Sequence, residues 1–80
     1  MRNLTEAESD LINNSEYTVD WSAEPEDFHD DYEEYCEEQF EDLVAGKYDE
    51  RDDLGGLTVY FKDDKLVAFY DYEQFVGTIF

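Results

Sequence analysis

His29 and Cys36 are the only histidine and the only cysteine in the 80-residue chain, so a thiol nucleophile activated by an imidazole is the first chemistry to test. They stand seven residues apart. On one helix that spacing separates their Cα atoms by about 10 Å, too far for the roughly 2.6–3.2 Å hydrogen bond that activates a nucleophile. Cys36 falls on an apolar stripe and reads as core, with His29 at the stripe's edge. Glu26-x-x-His29 has the spacing of di-metal carboxylate bundles, but those draw matching ligands from several helices, and one segment alone could supply them here. The acidic stretch from Asp49 to Gly56 fits no register of the calcium-loop pattern and lacks its closing Glu. Carboxylate pairs are abundant, yet no phosphate loop or set of oxyanion donors accompanies them. The expectation is a protein that is not an enzyme, holds no metal and needs no cofactor.

What remains is the charge itself. The chain has 24 Asp+Glu against 5 Lys+Arg, a formal net charge of −19. Between Arg2 and Lys47 lie 16 carboxylates and no basic residue, and 11 of the 16 fall within Glu24 to Asp42. Self-repulsion on this scale opposes the compact state and exceeds what solubility requires. It disfavours a negatively charged membrane surface and direct nucleic-acid binding alike, and it suits a strongly basic partner. The chain is nonetheless 41% hydrophobic and 18% aromatic, unlike a disordered acidic tail. Eighty residues imply a single domain, 1–80, near the lower size limit for an unaided core. A lone cysteine gives no disulfide framework, and no apolar leader or span of 18 residues is present, so a cytoplasmic location is expected. Without a secretory context, the acceptor patterns at Asn3 and Asn13 read as chance matches.

The elements that would position these groups follow from periodicity. Residues 1–15 are polar apart from Leu11 and Ile12, and both a short helix and a loosely attached arm are open. Tyr17, Val19 and Trp21 alternate with Thr18 and Asp20, the pattern of a half-buried strand. Phe28, Tyr32, Tyr35, Cys36, Phe40, Leu43 and Val44 recur at three- and four-residue steps, which predicts one long amphipathic helix over 25–45. Ser22 would help turn the chain into it, Pro25 suits its first position, and Gly46 suits its C-terminal cap. Lys47 to Gly56 reads as a charged loop. Leu57, Val59 and Phe61 then alternate with Thr58, Tyr60 and Lys62, Asp63-Asp64 makes a two-residue turn, and Lys65 to Asp71 returns. A β-hairpin over 57–71 is therefore expected, with a short strand at 76–80. The sum is an α+β domain: one long acidic helix packed on a small antiparallel sheet that includes a C-terminal hairpin.

On that helix the side chains furthest from the stripe are Asp27, Asp30, Glu34, Glu37, Glu38 and Glu41, flanked by Glu26, Asp31, Glu33 and Asp42. Seven pairs of carboxylates stand at i, i+4 with no cation between them, each costing on the order of 0.2–0.5 kcal/mol. Twenty-one helical residues span roughly 31 Å, so ten carboxylates give about one charge per 3 Å, close to the roughly 3.4 Å phosphate spacing along one DNA strand. The expected partner contacts are Asp27, Asp30, Asp31, Glu34, Glu37, Glu38 and Glu41. Tyr60, Tyr70 and Tyr72 would act as interface anchors if exposed, and otherwise would extend the core. Repulsion disfavours pairing through the helix and favours a monomer. The bland alternative is a solvated acidic face with no partner.

The composition and the segment PEDFHDDYEEYCEEQFEDLVAG resemble the DNA-mimic proteins of phages and mobile elements, a class that includes antirestriction proteins, some anti-CRISPR proteins and inhibitors of uracil-DNA glycosylase. The resemblance implies a non-enzymatic inhibitor, acting in the bacterial host cytoplasm, that occupies the nucleic-acid groove of a basic defence protein or nucleoprotein complex. An immunity protein or antitoxin that neutralises a basic nuclease toxin is the alternative, and an adaptor or scaffold a third.

Overall fold

The computed structural model describes residues 4–21 and 25–80, with the side chains of Pro25, Phe28 and His29 outside that description; the turn expected at Ser22 also lies outside it. The sheet is a meander of four antiparallel strands: β1 (Glu50–Asp53), β2 (Leu57–Lys62), β3 (Lys65–Asp71) and β4 (Val76–Ile79), in the order β1-β2-β3-β4. The expected hairpin is β2–β3. Its turn residues Asp63 and Asp64 both have positive φ, 53° and 65°, the backbone that a two-residue turn needs to match strand twist. Gly55 and Gly56, at φ 65° and 91°, make a second such turn between Leu54 and Leu57, closed by Leu54 N–H donating to Leu57 O at 2.7 Å. That turn folds Glu50–Asp53 back onto β2, so part of the expected charged loop is a strand. Charged residues are poor strand formers; here they blunt a sheet edge against pairing with other chains.

Alternation divides the sheet into two faces. Tyr60, Ala68 and Tyr70 form one buried cluster with Cys36, Phe40 and Val44. Val59, Phe61, Leu66 and Phe69 form another, on which Leu4 and Ile12 pack. The shift in register between Tyr60 and Phe61 leaves the facing pattern intact while adding one residue to β3. Helices therefore lie on both faces. Residues 6–14, open on sequence, form α1 (Glu6–Asn14), started by a capping box in which Glu8 N–H donates to Thr5 Oγ1 at 3.2 Å and Thr5 N–H to Glu8 Oε1 at 2.9 Å.

Two sequence expectations are corrected. The long helix over 25–45 is interrupted: α2 (Pro25–Phe28) passes through a 3-10 turn (His29–Asp31) into α3 (Tyr32–Val44). Asp is a poor helix-interior residue, and Asp27, Asp30 and Asp31 repel at helical spacing. The 3-10 turn, with its rise of about 2.0 Å per residue, separates them along the axis. The stretch Tyr17–Trp21 joins no strand ladder. It passes from one face of the sheet to the other: Tyr17 packs edge-on to Phe69, Trp21 edge-on to Tyr70, and Thr18 Oγ1 meets Thr78 Oγ1 at 3.2 Å.

Candidate partner-binding interface

The acidic segment is fixed by its inner stripe. Cys36, Phe40 and Val44 recur every four residues and are buried. The Phe40 ring lies 5.7 Å from that of Tyr60 and 5.2 Å from that of Tyr70. It sits over Gly77, where a Cβ would come within 2.8 Å of the ring and 2.3 Å of Phe69 O. α3 ends in a turn closed by Lys47 N–H donating to Val44 O at 2.9 Å, with Gly46 at φ 75° as its sequence position suggests.

With that stripe inward, the expected contact residues separate into two groups. Asp27, Asp30, Asp31, Glu34 and Glu38 are exposed, as are Glu26, Glu33 and Asp42; Glu37 and Glu41 are half-buried. Glu34, Glu37, Glu38 and Glu41 line one shallow groove of about 430 Å³. Asp31 joins Glu34, Tyr35 and Glu38 around a neighbouring hollow of about 270 Å³. Asp27 and Asp30, before and within the 3-10 turn, line neither.

Glu37 and Glu41 lean toward the sheet because Arg51 is there. Arg51 pairs with Tyr60 across β1 and β2, and its guanidinium carbon lies 5.8 Å from the Tyr60 ring centroid. Nη1 donates to Glu41 Oε1 at 2.6 Å, and Nη2 lies 3.8 Å from Glu37 Oε1 and donates to Tyr72 Oη at 3.3 Å. Tyr72 Oη donates in turn to Glu37 Oε1 at 3.3 Å, and it sits 2.8 Å from Thr58 Oγ1, which donates to Asp53 Oδ1 at 2.7 Å. Partial burial works against the Arg51 charge. The Tyr60 phenol and the hydrogen bonds to Glu41 and Tyr72 outweigh it, and the pKa rises above the usual guanidinium value.

Arg51 is the member of this site that sequence reasoning missed, and Tyr72, expected as an anchor if exposed, is half-buried beside it. The Arg51 side chain reaches α3 only because β1 pairs with β2, a long-range consequence with no local signal. The other two such tyrosines, Tyr60 and Tyr70, are core residues, and burial pushes both phenols above the ordinary tyrosine value. Burial likewise pushes the Cys36 thiol up, and the one thiol is inaccessible to solvent. Among the described residues, no group of three or more His, Cys, Asp or Glu is arranged to hold a metal ion. No helix among them is long and apolar enough to cross a membrane. What the outer face can do is accept hydrogen bonds from cations. Comparison with protein-family models, with curated proteins and with solved structures gives no match.

Proposed function

We propose that the chain is a nucleic-acid-mimicking inhibitor, of the anti-defence kind carried by phages and mobile elements, that blocks the positively charged DNA- or RNA-binding groove of a host protein or nucleoprotein complex. The observation that carries this reading is the division of charge around α3. Eight carboxylates from Glu26 to Asp42 are exposed, and the one arginine among the described residues is turned inward onto Glu37 and Glu41. Those eight carboxylates face solvent. Mounted on a helix locked to the sheet by Phe40, they are presented at low entropic cost. Association with a basic groove is then fast and falls steeply with ionic strength.

The interrupted helix changes the geometry of the mimicry. α3 spans about 20 Å, and the rest of the acidic array comes from residues 26–31. The imitation is of a short stretch of phosphates, interrupted at the 3-10 turn. The test is capture from a bacterial lysate in 0.1 M salt, release in 0.5 M salt, and competition of the captured partner with duplex DNA. Glu34→Lys with Glu38→Lys abolishes capture while the far-ultraviolet circular dichroism is unchanged. A partner that holds DNA and this protein together refutes the mimicry. A partner that is a toxic nuclease encoded beside this chain assigns it instead as an immunity protein.

A further inference from the structure

Among the described residues, the large apolar side chains left exposed are Leu11, Tyr17, Leu43, Ile79 and Phe80, and two of them meet around one buried ring. Phe69 is fully buried, and its ring lies 5.9 Å from those of both Tyr17 and Phe80. Phe80 and Leu11, with Ala7, Asp10, Asn14 and Ser15, line a groove of about 550 Å³ between α1 and the end of β4. Phe80 is 49% exposed and Leu11 47%, so the fold of one chain does not account for the placement of these side chains. The groove lies with α1 on the face of the sheet opposite α3.

Charge and area identify the occupant. The apolar floor is rimmed by the Asp10 carboxylate and by the last turn of α1, the negative end of a helix dipole with no basic residue to offset it. Among the described residues, no Lys or Arg lines the groove. Only two large apolar side chains, Leu11 and Phe80, line it, each about half exposed, which falls well short of the roughly 800 Å² per partner that a stable interface buries. A second copy would also bring another net charge of −19. One inserted side chain on a cationic segment satisfies both constraints.

We propose that this groove docks a basic segment of a partner protein, anchored by one large apolar side chain flanked by Lys or Arg. The site is distinct from the outer face of α3, and the two contacts are separable. The test uses the full chain and a synthetic dodecapeptide of lysine and alanine with one central tryptophan, in 0.3 M salt. Amide shifts in nuclear magnetic resonance spectra move at Ala7, Leu11, Ser15 and Phe80. Leu11→Asp weakens binding at least tenfold although it adds a negative charge, and so does replacing the peptide's tryptophan by alanine. Glu34→Lys with Glu38→Lys changes the affinity less than threefold. Because Leu11 is exposed, Leu11→Asp folds as the native chain does, and Phe80→Ala is the second variant, removing one wall without adding charge. Shifts confined to α3, or an affinity indifferent to both variants and to the tryptophan, overturn the proposal. So does concentration-dependent dimerisation lost in Leu11→Asp, which gives the groove to a second copy.

Discussion

Replacing Arg51 by Met keeps the length and apolar stem of the side chain and removes its charge. The structure sets the size of the effect. A charge-assisted hydrogen bond contributes about 1.5–3 kcal/mol when shielded, but the Arg51 and Glu41 side chains are 31% and 42% exposed, which brings that contribution down to about 1 kcal/mol. Loss of the cation over the Tyr60 ring adds about 0.5–1 kcal/mol, and unmasked repulsion between Glu37 and Glu41 about 0.2–0.5 kcal/mol. The expected destabilisation is about 2 kcal/mol, which in a domain of this size lowers Tm by roughly 10 °C. Urea and thermal unfolding followed by circular dichroism measure it. Raising NaCl from 0.05 to 0.5 M stabilises both proteins by screening their global repulsion, and more than half of the deficit persists because the clasp is partly shielded. A double-mutant cycle with Glu41→Gln gives a coupling of about 1 kcal/mol. A deficit under 0.5 kcal/mol at low salt, or one that vanishes in 0.5 M NaCl, refutes the view that Arg51 ties α3 to the sheet.

Three other perturbations probe the frame of the site. Gly77→Ala places a methyl against Phe69 O and the Phe40 ring and costs about 1–3 kcal/mol as overpacking, read as a lower urea midpoint; an unchanged midpoint shows that α3 yields. Tyr70→Phe removes a buried hydroxyl that makes no hydrogen bond of good geometry and has only the weakly bonding Cys36 thiol as a neighbour of that kind, and stability rises by about 1 kcal/mol; a loss of that size means the hydroxyl is satisfied in solution. Tyr60 and Tyr70 are held above the ordinary value of 10.0 by burial, so above pH 10 the unfolded chain loses protons that the native one keeps, and stability falls as pH rises. Urea midpoints from pH 8 to 11.5 are flat at first and then decline, and phenolate absorbance from all seven tyrosines without loss of structure excludes this coupling.

The central hairpin was legible because every level agreed: alternating Val, Phe and Tyr, then a two-residue turn of residues that tolerate positive φ. β1 was not, because Glu50–Asp53 has no strand propensity and becomes a strand only through the Gly55-Gly56 turn and the ladder to β2. Tyr17 to Trp21 shows the converse. Its alternation would put Tyr17 and Trp21 on one face of a strand, but they pack on opposite faces of the sheet, because the segment crosses the sheet and does not extend it. Thr5-x-x-Glu8 is a start signal for α1 in plain sequence, but nothing local says which face that helix covers. Tyr60 and Tyr70 lie on the opposite face, beneath Cys36, Phe40 and Val44 of α3, which takes them into the core and denies them the role of anchors.

A helical wheel treats Glu34, Glu37, Glu38 and Glu41 as equivalent, and the fold separates them. Arg51 claims Glu37 and Glu41, so these two have a structural role before any partner arrives. The carboxylates from Glu26 to Glu34 crowd the start of the acidic segment, where the positive end of a helix dipole stabilises each by about 0.3–1 kcal/mol. Asp42 lies in the last turn of α3, against the dipole and with no basic residue there, and Glu38 stands at mid-helix, out of reach of the positive end. Folding does least to explain those two, and Glu38 shares its groove with Glu34. If the acidity were a solvated face selected only for solubility, exchanging Glu34 and Glu38 for Lys would be as neutral to function as exchanging any other exposed pair, such as Asp49 and Glu73. The mimicry requires the opposite: a loss of capture at α3 and none at the distant pair, at equal change in net charge.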